Sequence, residues 1–238
     1  MRDAILICFI ASALAASAPG GDRFETQAGA LEITPIMHAS LMIRAGGQVV
    51  HIDPWSRGDY EGLPKADYIL VTDIHGDHLD PGQIAALRKP STVIVAPPAA
   101  AAKIHGARVL RNGESLTLGR WKIEAIPMYN LKRGPSPGKV YHEKGRGNGY
   151  LITYGGLRIY IAGDTEGIPE MRALKDIDVA FVPMNLPYTM PPEEAAEAVK
   201  AFHPRVVYPY HYRGSDLSVF EKALAGTGIE VRLRNWYP

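Results

Sequence analysis

One hexapeptide constrains this chain more than any other stretch. Residues 73–78 read Asp-Ile-His-Gly-Asp-His, so Asp73, His75, Asp77 and His78 place four potential metal ligands within six residues. They follow directly on residues 68–72 (YILVT), an apolar and β-branched run that reads as a buried strand. A turn leaving a strand can point alternate side chains into one pocket. Gly76 is expected to provide the tight backbone that brings Asp77 and His78 round after Asp73 and His75. Crowded together, four such groups repel or compete unless cations sit among them. Imidazole combined with carboxylate suits zinc, manganese or iron. The bland alternative is a helix N-terminus with solvated acids, since Asp77 and Asp80 precede an amphipathic segment. Capping, however, does not call for two histidines alternating with two aspartates.

Composition decides what such a metal would be for. The chain has 238 residues, 46% hydrophobic and 21% charged, the balance of one sizeable globular domain and not of a disordered tail, collagenous fibre or coiled coil. A chain of this length buries roughly 70% of its unfolded surface, so it builds a core without a structural metal. A bound metal is therefore expected to be functional. With 26 basic against 25 acidic residues, the electrostatic argument for a nucleic-acid partner is missing. Residues 4–14 form an apolar run after Arg2 that passes into Ala15-Ala16-Ser17-Ala18, the layout of a signal peptide over residues 1–18, cleaved after Ala18 or Ala15. Export to the periplasm or medium is expected. The run is short of the roughly 20 residues that span a bilayer, and no second long apolar stretch follows, so no stable membrane anchor is expected. The single cysteine, Cys8, lies in this segment. The mature chain, residues 19–238, would thus have no thiol nucleophile, thiolate ligand or disulfide.

Downstream, strands and helices alternate. Strand patterns at 31–33, 40–44 and 48–52, with a Gly46-Gly47 turn, read as an antiparallel start. Strands at 68–72, 92–96 and 108–110 then alternate with helices at 81–88 and 99–105. The second half repeats the plan: a hairpin at 115–118 and 121–127, a long polar loop at 130–148, then strands at 150–153 and 158–161. Strands at 179–182, 206–208 and 230–233 follow, alternating with helices at 192–202 and 217–225. Two mixed sheets packed face to face with helices outside are expected, in one domain.

Residues 72–78 resemble the HxHxDH signature of the metallo-β-lactamase superfamily, and further landmarks of that family follow in order. His142 precedes Gly149-Tyr150-Leu151-Ile152. Ile161-Ala162-Gly163-Asp164-Thr165 looks like its GDT turn, and Pro209-Tyr210-His211-Tyr212 resembles its last histidine motif. Upstream, His51-Ile52-Asp53-Pro54 is similar to the strand that ends in the family's structural aspartate. His38-Ala39-Ser40 resembles the opening of the branch that includes ascorbate-phosphate lactonase and the N-acylphosphatidylethanolamine phospholipases. The resemblance covers nearly the whole mature chain and implies an α/β, four-layer αββα sandwich.

It also implies a ligand set. One metal would be held by His75 and His142, with Asp73 in the place of the first signature histidine. A second would be held by Asp77, His78 and His211, and Asp164 would bridge. The implied cofactor is two divalent metals, zinc first, with manganese or iron at the Asp73 position. The implied activity is metal-dependent hydrolysis of a small ester, lactone, amide or phosphodiester, which with the signal-peptide pattern gives a secreted hydrolase as the expectation. The nucleophile would be a hydroxide held between the metals, with Asp77 and Asp164 as the catalytic carboxylates. An iron-dependent oxidoreductase and a non-catalytic metal binder remain as alternatives.

Asp73 departs from the family pattern. A carboxylate in place of a neutral imidazole adds negative charge, which favours harder metals and a less acidic bound water. Three readings follow: altered metal choice, a one-metal enzyme using Asp77, His78 and His211, or lost activity. The first is preferred because every other ligand position is filled. Asp53 is expected to orient a ligating side chain. His38 is balanced between site wall and structural hydrogen bond, and His51, His105 and His203 read as structural or exposed. Tyr129, Asn130, Asn185 and Tyr188 would supply donors to an oxyanion or an apolar wall, or simply pack. In the long loop, Lys132, Arg133, Lys139, Lys144 and Arg146 against Glu143 read either as a basic rim for an anionic small molecule or as a solvated loop.

Overall fold

The first half of the chain winds into one sheet and the second half into another. The computed structural model describes residues 21–237. The apolar segment at 4–14 and its cleavage positions lie outside the described residues. In the first sheet the spatial order is the chain order: β1 (Asp22–Thr26), β2 (Gly29–Met37), β3 (Ser40–Ala45), β4 (Gln48–Ile52), β5 (Ala66–Leu70), β6 (Arg88–Ala96) and β7 (Arg108–Val109). The first four pair antiparallel and the last three join in parallel. Parallel neighbours need crossovers, and these carry α1 (Pro81–Leu87) and α2 (Pro98–Ala101).

The second sheet repeats this scheme. β8 (Ser115–Leu118), β9 (Trp121–Met128), β10 (Gly147–Tyr154) and β11 (Leu157–Ile161) are antiparallel. β12 (Val179–Pro183), β13 (Val206–Tyr210) and β14 (Glu230–Val231) then add in parallel, with α3 (Pro169–Arg172), α4 (Pro192–Phe202) and α5 (Leu217–Leu224) between them. The Gly46-Gly47 and Gly155-Gly156 turns have positive φ at both residues, which suits the sharp two-residue hairpin at the same point in each half.

Packing makes four layers. Between the sheets lie Leu31, Ile43, Trp121, Tyr154, Phe181 and Trp236. Ile84 and Leu87 of α1 cover Ile69 and Ile94 of the first sheet. Val199 and Phe202 of α4, with Phe220 of α5, cover Tyr160 and Val207 of the second. In α4 the buried Ala195, Val199 and Phe202 recur at helical spacing. Glu193 and Glu194 in its first turn and Lys200 in its last complement the helix dipole. Truncating the buried Phe202 to Ala would cost about 3–5 kcal/mol.

The expected αββα sandwich is thus present, with differences at the margins. β1 was not expected, because its half-exposed DRFET pattern carries three charges. The helix expected over 99–105 ends after Ala101, and its remainder is turn. The one-turn α3 lies in a stretch with no helical period.

Candidate metal centre

The strand ends deliver the chemistry. Asp53 follows β4, Asp73 to His78 follow β5, Asp164 follows β11 and His211 follows β13. His38 sits in the two-residue turn between β2 and β3, and His142 precedes β10. His38, Asp53 and His211 all have positive φ, a conformation that costs a non-glycine residue energy and clusters at functional sites. The backbone joins two of them: His211 N–H donates to the His38 carbonyl at 2.9 Å, pinning one sheet's end to the other's.

Within the hexapeptide the turn forms differently from expectation. Gly76 does not have positive φ, and a Cβ there would meet nothing within 4 Å. The bend is held instead by the amides of His78 (3.1 Å) and Leu79 (2.8 Å), both donating to the His75 carbonyl. Gly76 lines the cavity described below. Asp80 caps α1 by accepting from Gln83 N–H, whereas Asp77 turns inward.

His78 is fully buried, and its Nδ1 lies 2.8 Å from Asp53 Oδ2. Asp53 in turn accepts from Thr72 N–H (2.7 Å) and Thr72 Oγ1 (2.5 Å). Asp53 therefore fixes the orientation of the His78 ring and leaves its Nε2 facing Asp164 Oδ2 at 3.3 Å. His142 is set in the same way: Asn130 Oδ1 accepts from its backbone N–H (2.8 Å) and its Nδ1 (2.6 Å). His142 Nε2 then lies 3.2 Å from Asp164 Oδ2. His211 Nε2 is 3.2 Å from Asp164 Oδ1 and 3.5 Å from Asp77 Oδ2.

These separations fit a metal better than hydrogen bonds. Two ligands each about 2.1 Å from a tetrahedral ion stand about 3.4 Å apart. His78 Nε2, His211 Nε2 and Asp164 Oδ1 are buried and have no hydrogen-bond partner among the described residues. Leaving buried polar atoms unpaired is costly, and a divalent cation would satisfy all three at once. His78, Asp164 and His211 form one candidate ligand group, and Asp73, His75 and His142 another.

Electrostatics point the same way. Burial disfavours charge on Asp164, but His211 and His78 outweigh it and hold the carboxyl well below the usual range. Burial likewise opposes charge on Asp77, and His78, His211 and His38 overcome it. His78 is pushed up despite its burial, because Asp164, Asp53 and Asp77 surround it. His38 goes the other way, down to about 4, chiefly through burial. Neutral His38 thus presents Nε2–H to Asp77 Oδ2 (3.1 Å) and accepts at Nδ1 from the Tyr237 hydroxyl (2.6 Å).

A cavity of about 860 Å³ opens over the centre, lined by His38, His75, Asp77, His142, Asp164 and His211. Asn185 and Tyr188 also line it. Tyr129 does not: its hydroxyl donates to Glu170 Oε2 at 3.0 Å and lies near Lys144, away from the cavity. Asn130 acts through His142 and is not itself a cavity wall.

Of the two readings of the long loop, a basic rim over the cavity is not the one that forms, since none of its lysines or arginines lines the cavity. Lys132 and Arg133 pair with Glu194 of α4, and Lys144 pairs with Glu170 of α3. Arg146 pairs with Asp73. These carboxylates come from distant segments, so the loop's own sequence did not reveal them. Glu166 is a further residue that sequence reasoning missed. Nearly fully buried, it accepts from Leu131 N–H and Arg133 N–H and from the Asn130 side chain, and so anchors the loop that carries His142. Its only signal was adjacency to Asp164-Thr165.

Two related β-sheet halves thus bring candidate metal-ligand groups together at one cavity. The sequence matches the beta-lactamase superfamily domain over residues 32–211, and the chain belongs to that superfamily. A metal-dependent hydrolase of Thermus thermophilus is 32% identical over 194 residues, covering 76% of this chain and 84% of its own. A Parabacteroides distasonis crystal structure, provisionally described as a metal-dependent hydrolase, superposes with a TM-score of 0.86 at 47% identity, covering 91% of this chain and 99% of that one. A metallo hydrolase of Ignicoccus hospitalis shares the fold at a TM-score of 0.71 and 24% identity, covering 85% and 94%.

Proposed function

We propose that this chain is an exported, metal-dependent hydrolase of a small anionic ester, lactone, amide or phosphodiester, with zinc as the metal best suited to its imidazole-rich donors. The observation that carries the reading is the pair of 3.2–3.3 Å separations that join the buried Nε2 atoms of His78 and His211, unpartnered among the described residues, to Asp164. Asp77, expected as a ligand of the same metal, stands 3.5 Å from His211 on the cavity side. A divalent metal held there supplies a Lewis acid and lowers the pKa of bound water to about 7.

The chain's own residues do the rest. Asp77 faces the cavity ionised, held by His38, and offers its carboxylate as an acceptor that orients an attacking water. Tyr188 and Leu186 with Trp55 give the cavity an apolar side for a leaving group, and Tyr141 stacks edge-on against Tyr188 at 5.0 Å. Arg57 and Arg213 line the same cavity. Among the described residues neither is in an ion pair; each instead lies over an aromatic ring, Arg57 on Trp55 and Arg213 on Tyr237. Two cations without carboxylate partners beside the centre favour an anionic substrate.

The test is turnover of a panel of carboxylate-bearing esters, lactones and phosphodiesters by zinc-loaded protein before and after chelation. Chelator-sensitive hydrolysis supports the reading, and a protein that binds zinc but hydrolyses nothing in the panel contradicts it.

A further inference from the structure

The two candidate ligand groups are not alike. His78, Asp164 and His211 show buried, unpaired donors at ligand spacing. In the other group the carboxylate is already occupied. Arg146 Nε lies 3.3 Å from Asp73 Oδ1, and its Nη2 lies 3.3 Å from Asp73 Oδ2. The guanidinium is fixed from behind by donating from Nη2 to the Tyr141 carbonyl at 2.8 Å. Asp73 Oδ2 is also 2.6 Å from His75 Nδ1, a hydrogen-bond distance too short for two ligands of one ion, and 3.9 Å from His142 Nε2. A fork-shaped cation spanning both oxygens of a fully buried carboxylate is a geometrically specific pairing.

Resting on the metal-centre reading above, we propose that Arg146 competes with a metal for Asp73 and makes the centre asymmetric, with one tight position at His78, Asp164 and His211 and one weak position at Asp73, His75 and His142. The Asp73–Arg146 pair adds no net charge, so the carboxylate does not pull in a harder metal as an unpaired one would. A dication entering that group must share Asp73 with a guanidinium a few ångströms away, and at such range charge repulsion is large even with solvent screening. Arg146 is thereby a residue that sets how many metals the centre holds.

Metal-free protein titrated with Zn²⁺ by calorimetry, with elemental analysis after dialysis, tests this. Wild type is expected to retain close to one equivalent, its second equivalent binding at least about tenfold more weakly. Arg146→Met, which removes the charge and keeps most of the volume, is expected to strengthen the second equivalent by at least about tenfold, whereas Arg146→Lys should stay close to wild type. Thermal melts establish that the variants fold, and the wild-type stepwise affinities alone keep the test decisive if Arg146→Met does not. Two wild-type equivalents of equal affinity, or a second equivalent unmoved in folded Arg146→Met, would overturn the proposal and leave the hydrolase reading standing. Binding of no zinc at all would overturn both.

Discussion

Asp53 Oδ2 stands 2.8 Å from His78 Nδ1, inside a fully buried pair that has no access to solvent. The contact fixes which nitrogen of His78 faces Asp164, so Asp53 orients a candidate ligand without belonging to the candidate ligand group itself. Asp53→Asn is expected to weaken zinc binding by about 10- to 100-fold, read by competition with a chromophoric chelator. Asp53→Ala also abandons Thr72 N–H and Oγ1, and the loss in denaturant-measured stability should reach about 3 kcal/mol.

Gly163 precedes Asp164 with φ +67°, and a Cβ there would come 2.5 Å from Met128 Sδ. Both facts oppose a side chain: the backbone is left-handed, and Met128 and the Asn148 carbonyl crowd the space. Gly163→Ala is expected to cost at least about 1–2 kcal/mol and to displace Asp164, lowering metal affinity in the same protein. A melt together with a zinc titration checks both effects. Gly76→Ala is the contrast, with little change in stability expected, since nothing crowds its Cβ and its φ is not positive.

Substrate charge has its own test. Arg57→Ala and Arg213→Ala are expected to raise KM for an anionic substrate, with a smaller change in kcat and a weakened salt dependence. A neutral analogue should be affected much less. Equal losses on both substrates would mean that the arginines shape the cavity and do not read charge.

The pairing of Glu194 with Arg133 joins the long loop to α4 and carries a pH signature. The Arg133 guanidinium, aided by Lys132, lowers the Glu194 carboxyl from 4.5 to about 2. A depressed carboxylate pKa contributes stability above its unfolded value and loses it as pH falls through the folded one. The metal-free protein should therefore lose this contribution between about pH 4.5 and 2. Glu194 is partly exposed, so the effect is small. In Glu194→Gln the melting temperature should show less acid dependence over that interval.

Much of this architecture was legible because it is local. The strand just before Asp73 to His78, which forms as Ala66–Leu70, two residues earlier than its expected 68–72, the paired-glycine hairpins and the period of α4 all lie within short windows of sequence. So does the layout of one antiparallel and one parallel run in each half. What the sequence hid depends on contacts between distant residues. Arg146 looked like one cation among several in a loop, and only the fold places it on Asp73, 73 positions away. Tyr129 looked like a site donor beside Asn130, but adjacent residues point differently: Asn130 turns to His142 and Tyr129 to Glu170. β1 was invisible for a related reason. Its half-exposed edge carries charge, and its place is fixed by pairing with β2.

On the proposed function, hydrolysis depends on a metal held by His78, Asp164 and His211. Asp164→Asn keeps the side chain's shape and removes its charge, so the direct measurement is zinc content and anionic-ester hydrolysis of this variant beside wild type. The folded variant is expected to lose most of its bound zinc and its hydrolysis together. Full zinc content, or hydrolysis that survives without the metal, would contradict it.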